Sequence, residues 1–309
     1  MRELIERVVD ELVRSRREGV SGLYIADGTL ESLEALVAKD THETAHESGD
    51  APDRELILEP DSRGEGIRES GKTSSNRVEV KPGVREIAPI PDPPSVELPE
   101  GDRAQRWQWL RDRVLECPVC NAHVKPGKKV VFGVGNIEAD IFFCGEAPGA
   151  EEEVQGEPFV GRAGQLLTKI IEAMGLTRSD AYIGNIMNWR PEMPTAYGNR
   201  PPTAAEFNFC LPYLRAQLEI VQPAVIVALG ATAVNGLLGP DSNRRMGAVR
   251  GKWFSFEGVP LIITYHPSYV LRNGSMRTKR LVWEDMLQVM DRSGLPVSEK
   301  QRGYFKSSD

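Results

Sequence analysis

The sequence predicts an α/β protein, a three-layer α/β/α sandwich around a mostly parallel sheet. From about residue 104 onward, short apolar runs alternate with longer segments in which apolar residues recur every three or four positions. The short runs are typical of buried strands and the longer segments of helices, and their alternation with short connections favours a parallel sheet covered on both faces. Ligands bind such sheets beyond the carboxyl ends of the strands.

The apolar pattern places six strands and four main helices in this region, after a first helix around Trp107, Leu110 and Val114. We expect strands at residues 130–132, 141–144, 181–187, 224–229, 253–256 and 261–264. We expect helices at residues 164–174, 204–221, 232–238 and 277–290.

The rest of the chain divides by composition. Residues 1–40 have helical apolar spacing and are predicted to be a helical appendage. Residues 41–103 are rich in acidic residues, Ser, Gly and Pro, so we expect a disordered, acidic, proline-rich linker. Residues 104–292 are the predicted main domain, and residues 293–309 a C-terminal tail. The linker is expected to act as a tether, with a protein partner for the N-terminal segment as the less favoured alternative.

The net charge of −7 is unevenly distributed. Residues 1–100 contain 13 basic and 23 acidic residues, whereas the remainder contains 25 basic and 22 acidic residues. The main domain is therefore mildly basic, which permits contact with nucleic acid. No apolar stretch reaches the roughly 18 residues of a membrane helix, and the first ten residues contain acids, unlike a secretory signal. We expect a cytoplasmic monomer without membrane contact.

Glycine-rich segments follow the predicted strand at residues 141–144. Gly145-Glu-Ala-Pro-Gly149 is typical of a tight turn with backbone N–H groups free for a ligand. The segment Gly156–Gly164 then leads into a helix, and small residues at a helix start suit an anion such as a phosphate. Phe159 lies within it, outside any periodic pattern, so its ring is expected to stack on a ligand.

Two polar side chains follow other strands. Asn185 comes near the end of an apolar run and has both a hydrogen-bond donor and an acceptor. His266 follows the strand at residues 261–264, with Pro267 behind it and Arg272 in the same segment. Each residue alone is more often structural, but together at one sheet edge they are candidates for a functional site.

These segments, in this order, resemble the family 4 uracil-DNA glycosylases of the wider uracil-DNA glycosylase superfamily, over roughly residues 105–292. The matching residues are Gly145-Glu-Ala-Pro-Gly149, Pro158-Phe-Val-Gly-Arg-Ala-Gly164, Asn185, Arg190-Pro191, Asn199-Arg-Pro-Pro202, Cys210-Leu-Pro212, Ala228-Leu-Gly230 and His266-Pro267.

The resemblance implies an enzyme that flips uracil out of DNA and hydrolyses the N-glycosidic bond, leaving an abasic site. It implies that Phe159 stacks on the base, that Asn185 reads its edge and that His266 donates a hydrogen bond to the carbonyl that gains negative charge. Gly145 and Ala147 would line the base pocket. No lysine occupies the matching positions, so we expect no Schiff base and no strand cleavage.

In the resemblance, the segment after His266 contacts uracil-containing DNA, with Leu271 as a wedge between bases and Arg272 pressed into the DNA. Two alternatives remain open. One is a uracil- or DNA-binding module without turnover. The other is an enzyme that acts on a free nucleotide, which the basic residues Arg277, Lys279 and Arg280 disfavour, although they also suit a solvated helix face.

The residue that positions the attacking water is ambiguous. The best-known uracil glycosylases have an Asp in the first motif, where this chain has Ala147, as is usual in family 4. Glu146 and Glu152 are the nearby carboxylates, and either could orient water, steady the turn or exclude the methyl group of thymine. We rank Glu146 first.

Family 4 enzymes commonly hold a four-iron four-sulfur cluster on four cysteines, and this chain matches three of them with Cys117, Cys120 and Cys210. The fourth position is Trp189, and His123 is a possible substitute ligand. Three readings follow: a cluster with three thiolates and a fourth ligand from His or solvent, another metal such as zinc, or an empty site with Trp189 packed in its place. We expect the cluster, in a structural role.

Overall fold

The computed structural model describes residues 89–192 and 200–306, and within them a six-stranded sheet lies between helices on both faces. Its order is β1-β3-β2-β4-β6-β5, in which β3, β2, β4 and β6 are parallel and the two edge strands are antiparallel. This arrangement confirms the predicted α/β class. The strands are β1 (Val134–Gly135), β2 (Ile141–Gly145), β3 (Tyr182–Asn185), β4 (Val225–Leu229), β5 (Trp253–Phe256) and β6 (Val259–Thr264).

Ten helices and one 3-10 turn (Arg178–Asp180) connect these strands in the described residues. No helix in this part of the chain is long and apolar enough to cross a membrane. The helices are α1 (Arg103–Leu115), α2 (Pro118–His123), α3 (Glu152–Gln155), α4 (Arg162–Ala173), α5 (Ala204–Val221), α6 (Ala231–Leu238), α7 (Met246–Val249), α8 (Pro267–Arg272), α9 (Met276–Arg292) and α10 (Glu299–Gly303).

Both faces of the sheet carry an apolar core. Along β2, Phe142 and Cys144 point into one core and Ile141 and Phe143 into the other, as the alternation of side chains in a strand requires. Helices α1, α2 and α5 cover the first core, and α4 and α9 cover the second. Because both faces are buried, the strands read as continuous apolar runs, which made them visible in the sequence.

The strand register brings the carboxyl ends of the parallel strands to one edge. Gly145 at the end of β2 lies beside Asn185 at the end of β3. Leu229 at the end of β4 lies beside Thr264 at the end of β6. Gly230 then donates a backbone hydrogen bond of 2.9 Å to the Thr264 carbonyl. The segments that follow four strands are therefore held against one another.

A buried ion pair fixes the end of β6. Asp285 on α9 has no exposed surface. Its carboxylate accepts hydrogen bonds from the Thr264 hydroxyl at 2.7 Å and from the Arg250 side chain. Burial raises the pKa of Asp285, and the hydrogen bonds from Arg250 and Thr264 oppose that shift. Thr264 stands two residues before His266, so this contact anchors the strand from which the predicted site histidine emerges.

The predicted strand at residues 130–132 was wrong. That segment is buried but bonds to the loop after β3: the Val131 N–H donates to the Asn188 carbonyl at 2.8 Å, and the Asn188 amide donates to the Val131 carbonyl at 3.2 Å. The edge strand comes slightly later, at Val134–Gly135, where it pairs with β3. An apolar run alone does not distinguish a strand from a buried loop anchored by one side chain.

The end of the predicted linker packs on the domain. Within residues 89–102, Ile90, Val96 and Leu98 lie against the first core. The predicted disordered linker therefore does not extend to residue 103, because these three apolar side chains are partly buried against the domain. The predicted helical appendage and the remainder of the linker lie outside the described residues.

The predicted C-terminal tail also returns to the domain. The Trp283 indole N–H donates to the Gln301 carbonyl at 2.6 Å, and the Gln301 amide donates to the Ala173 carbonyl at 2.9 Å. The Tyr304 ring lies 5.2 Å from the Trp283 ring. Residues 293–306 are thus part of the domain, beside α9 and α4.

Replacing Leu98 with Ala should lower the melting temperature of the full-length protein. A half-buried leucine loses about 1–2 kcal/mol on truncation, which corresponds to a shift of several degrees in a domain of this size. The matched control is Glu97→Ala, an exposed neighbour, which should change little. Equal melting temperatures for both variants would mean that residues 89–102 contribute no packing.

Candidate active site

Phe159, Asn185 and His266 line one cavity of about 260 Å³ at the carboxyl edge of the sheet. The ring centroids of Phe159 and His266 are 5.8 Å apart, with 33° between the planes. Gly145 lies between Asn185 and Phe159, since a Cβ on Gly145 would collide with the Asn185 amide oxygen and the Phe159 ring. The structure therefore brings together the three side chains that were singled out on three separate segments.

The backbone holds Phe159 in a conformation that side chains other than glycine seldom adopt. Its φ angle is 54°, in the left-handed region. The loop is braced on both sides: the Arg178 side chain donates to the Pro158 carbonyl, and Gly164 passes so close to the Phe159 carbonyl that a Cβ would collide with it. Strain of this kind persists only where surrounding contacts impose it, and it is concentrated at functional sites.

Glu152 ties the two glycine-rich segments together. One carboxylate oxygen accepts the Gly149 N–H at 3.0 Å, and the other accepts the Val160 and Gly161 N–H groups, each at 3.0 Å. The side chain is buried at the start of α3. Of the roles considered for this residue, the contacts support steadying the turn, because both oxygens already bind backbone.

Asn185 is the last residue of β3 and is 6% exposed. Its amide oxygen is buried and has no hydrogen-bond partner among the described residues. A buried acceptor without a partner is uncommon in proteins and is often satisfied by a ligand or water. The Asn185 side chain thus presents an open hydrogen-bonding position in the wall of the cavity.

His266 is the N-cap of α8, and its contacts define its protonation state. The Nδ1 atom accepts the Ser268 backbone N–H at 3.1 Å and lies 2.8 Å from the Ser268 hydroxyl. Because a backbone N–H can only donate, Nδ1 carries no proton, and the neutral ring has its proton on Nε2. Burial, with a further contribution from Arg272 and against Glu152, lowers the pKa of His266 to about 4.

Glu146 faces a second cavity, of about 560 Å³, that adjoins the first. The two cavities share Ala147, His266, Ser268 and Arg272. The Glu146 side chain hydrogen-bonds Thr232, and burial raises its pKa. It is not among the residues that line the smaller cavity, so Glu146 approaches a ligand there only from the side that the two cavities share.

Leu271 and Arg272, in the segment after His266, lie on the short helix α8. Leu271 is 44% exposed, and Arg272 lines both cavities. Arg280, one of the predicted basic contacts, instead binds Glu284 at 2.9 Å and the Arg302 carbonyl at 3.0 Å. Arg280 therefore holds the C-terminal segment, a contact that differs from the solvated helix face considered for it.

Cys117, Cys120 and Cys210 all lie in the first core, beside or on α2 and on α5, and all three are buried. Cys117 and Cys120 hydrogen-bond each other, and burial raises the pKa of Cys210. The Tyr213 hydroxyl donates to the Cys117 sulfur at 3.4 Å. The Cys120 hydrogen bond, with help from Tyr213 and against burial, lowers the pKa of Cys117 to about 5.

The position of the fourth family cysteine is filled by Trp189, which has no exposed surface. Its ring lies 5.1 Å from His123 and 6.0 Å from Phe209. The Nδ1 atom of His123 is bonded to the Val119 carbonyl of its own helix at 2.8 Å. Within the described residues, no group of three or more His, Cys, Asp or Glu side chains has an arrangement that could hold a metal ion. The residues present do not fit a four-ligand cluster.

Two supporting residues were not found from the sequence. Ser268 fixes the tautomer of His266, and Arg178 holds the carbonyl before Phe159. Pro267 gave a usable indication for the first, because proline favours the first turn of a helix and so marks His266 as a capping residue. Nothing near Arg178 in the sequence points to its distant contact.

The fold and the site define the class: an α/β/α domain with a small polar pocket, large enough for one heterocyclic base, at the carboxyl edge of its sheet. The family model of the Uracil DNA glycosylase superfamily matches residues 132–287. The chain belongs to that superfamily and, within it, to the type-4 family.

Three relatives illustrate the assignment. The chain is 42% identical to the Type-4 uracil-DNA glycosylase of Thermotoga maritima over 60% of its own length and 93% of that protein. It is 41% identical to the Type-4 uracil-DNA glycosylase of Archaeoglobus fulgidus, over 53% of this chain and 82% of the relative. A Type-5 uracil-DNA glycosylase of Pyrobaculum aerophilum is 29% identical, over 52% and 73% of the two chains.

The imidazole of His266 should remain neutral and protonated on Nε2 at all pH values near neutrality. A pKa of about 4 lies below an unfolded value of about 6.5, so between these values the unfolded chain binds a proton that the folded chain does not. His266 therefore lowers stability as the pH falls through that window. Nitrogen-15 NMR of the ring checks this.

We expect the Nε2–H tautomer pattern without titration above about pH 5.5. In the Arg272→Gln variant the His266 pKa should rise, because a nearby positive charge is removed. A wild-type midpoint near the ordinary histidine value would contradict the buried, neutral state.

Proposed function

We propose that this protein is a uracil-DNA glycosylase, which hydrolyses the bond between uracil and deoxyribose in DNA and leaves an abasic site. The main support for this function is that Phe159, Asn185 and His266 line one cavity of about 260 Å³ in a chain of the type-4 family. The relatives compared above are named for the same activity.

Recognition of the base follows from the side chains on the cavity wall. Uracil presents a carbonyl and an N–H side by side, and the Asn185 amide offers the complementary donor and acceptor. The Asn185 oxygen, which has no partner among the described residues, would accept the uracil N–H. Phe159 provides an aromatic surface on which the ring stacks. Gly145 has no side chain, which lets the Asn185 amide and the Phe159 ring pack closely against its backbone.

The uracil must leave the base stack to enter this pocket. The reacting bond is inaccessible within stacked DNA, so the enzyme extrudes the nucleotide and bears a cost of a few kcal/mol for unstacking. Leu271, an exposed apolar residue on α8, would fill the space that the extruded base vacates. Arg272 lines both cavities and supplies positive charge for the neighbouring phosphate.

The chemistry is dissociation of the base with charge stabilised on the leaving group. As the glycosidic bond breaks, its electron pair passes to uracil, and negative charge accumulates on the carbonyl oxygens while the sugar becomes an oxocarbenium-like cation. The Nε2–H of neutral His266 donates to the uracil carbonyl that gains the charge. A preorganised donor in a dry site is effective for this purpose because it needs little reorganisation during the reaction.

Water completes the reaction at the sugar carbon. We assign Glu146 to orient this water and to accept its proton, since Glu146 shares the larger cavity with His266 and Ala147 supplies no carboxylate. Burial raises the pKa of Glu146 and so makes its carboxylate a better base. Glu152 acts on the reaction indirectly, through the backbone that it holds.

The reaction should stop at the abasic site. Strand cleavage by a glycosylase through a Schiff base requires an amine beside the sugar, and among the described residues no lysine lines either cavity. The cysteine group lies in the core under α5 and supplies no step in this mechanism.

Replacing His266 with Ala should slow single-turnover excision from a uracil-containing oligonucleotide by about 100- to 1,000-fold, the usual effect of removing one donor to a developing anion. Binding to DNA that carries an uncleavable uracil nucleotide should be nearly unchanged, because the donor acts on charge that forms during the reaction.

The control is Asn273→Ala, an exposed residue just past α8 that lines neither cavity. Parallel losses of binding and rate in His266→Ala would remove the assigned role. Wild-type protein that binds uracil DNA but leaves no alkali-labile site would show a binding module instead of an enzyme.

Replacing Arg272 with Gln should reduce the salt dependence of binding to uncleavable uracil DNA. Each phosphate contact contributes about one to the slope of log affinity against log salt, so the slope should fall by about one. The matched control is Arg215→Gln, which removes an equal charge from an exposed pair with Glu257 and should leave the slope unchanged. Equal slopes in all three proteins would exclude Arg272 from the DNA contact, and a slope near zero in the wild-type protein would favour a free nucleotide as substrate.

A further inference from the structure

We propose that this type-4 chain folds without an iron–sulfur cluster, and that an aromatic column centred on Trp189 takes the structural place of one. The column consists of His123, Trp189, Phe209 and Tyr213, whose rings contact one another in that order at centroid distances of 5.1, 6.0 and 6.2 Å. It runs from α2 to α5, the two elements that carry the three cysteines.

The sulfur count is the first argument. The whole chain contains four cysteines, and the fourth, Cys144, lies on β2. Its thiol contacts the Gly145 carbonyl at 3.7 Å, and burial alone raises its pKa to about 12. By contrast, Cys117 and Cys120 are the N-cap and a residue of α2, and Cys210 lies on α5. Cys144 is therefore separate from the group and cannot supply the missing sulfur.

The second argument concerns Trp189, the residue at the position of the fourth cluster ligand. The Trp189 side chain is entirely buried, and its indole nitrogen is a hydrogen-bond donor with no lone pair for a metal. That nitrogen has no partner among the described residues. A buried donor left unsatisfied is tolerated here because the ring gains contact with aromatic neighbours on both sides. The indole thus occupies the volume and provides no ligand.

The third argument concerns the substitute ligand. His123 uses Nδ1 for the Val119 carbonyl and lies against the Trp189 ring. It also borders a separate cavity, of about 300 Å³, together with Arg200 and Glu206. The Nδ1 bond leaves Nε2 as the ring atom that could still bind a metal. Among the described residues, however, no group of three or more His, Cys, Asp or Glu side chains is arranged to hold a metal ion, so His123 packs in the column without co-ligands.

The test measures metal, independently of glycosylase activity. Full-length protein is produced with ample iron and purified without air, and its iron, sulfide and zinc are quantified. We expect a colourless protein with far less than one metal per chain. Iron with absorbance near about 400 nm, or stoichiometric zinc, would overturn the proposal.

The variant Trp189→Cys tests whether the indole is what excludes the cluster. We expect this protein to turn brown and bind about four irons per chain, because it restores the fourth thiolate and opens the occupied volume. The matched control is Trp253→Cys, which adds a cysteine on the other face of the sheet and should remain colourless. A folded but colourless Trp189→Cys protein would contradict the assignment to Trp189.

Thermal stability gives a second readout if Trp189→Cys does not fold. In a column that replaces a cluster, Trp189→Phe should lower the melting temperature more than Cys210→Ala does, because the loss of packing exceeds the loss of a small apolar thiol. In a protein held by a cluster the order is reversed, since the cysteine variant loses a metal ligand.

Discussion

One buried carboxylate holds the pocket together. Glu152 stands at the start of α3 and accepts three backbone N–H groups, one from the turn after β2 and two from the loop that carries Phe159. Hydrogen bonds to an ionised carboxylate are stronger than those between neutral groups, and burial makes their loss more costly. The strained φ angle of Phe159 persists because this carboxylate and Arg178 leave the loop no relaxed alternative. A single side chain outside the chemistry therefore determines where the aromatic platform stands.

The electrostatics of the site follow from the same rigidity. His266 caps α8 and is fixed by Ser268, while Thr264 before it is anchored to Asp285. Desolvation and Arg272 keep the ring neutral, so the site presents an N–H donor without burying a cation. A charged imidazole would bind the departing anion more strongly. Before the glycosidic bond breaks, however, its buried positive charge would need a compensating negative partner. The neutral donor avoids that conflict and is useful mainly when charge develops.

Much of this arrangement could be predicted because the buried parallel strands are continuous apolar runs and their ends are marked by glycine, asparagine and histidine. Periodicity failed where contacts are individual and distant. Residues 130–132 look like a strand but bond to Asn188, and residues 89–102 look like a linker but bury Ile90 and Leu98. The sequence showed Glu152 among three acids without showing which of them would meet backbone. Such contacts depend on three-dimensional approach, for which local composition contains no information.

The region around the three cysteines shows how a fold can be kept while the interaction that joins two of its helices changes. A metal cluster joins α2 to α5 through bonds that depend on redox state and iron supply, whereas an aromatic column joins them by packing that needs neither. A single substitution is enough to replace the cluster by the aromatic column. One substitution at position 189 removes a ligand and fills the space at once, while Cys120 and Cys210 stay as protonated thiols in a closed core. The pocket residues reach the sheet edge from β2, β3 and β6, and none of them is a member of the column, so the chemistry can survive the exchange.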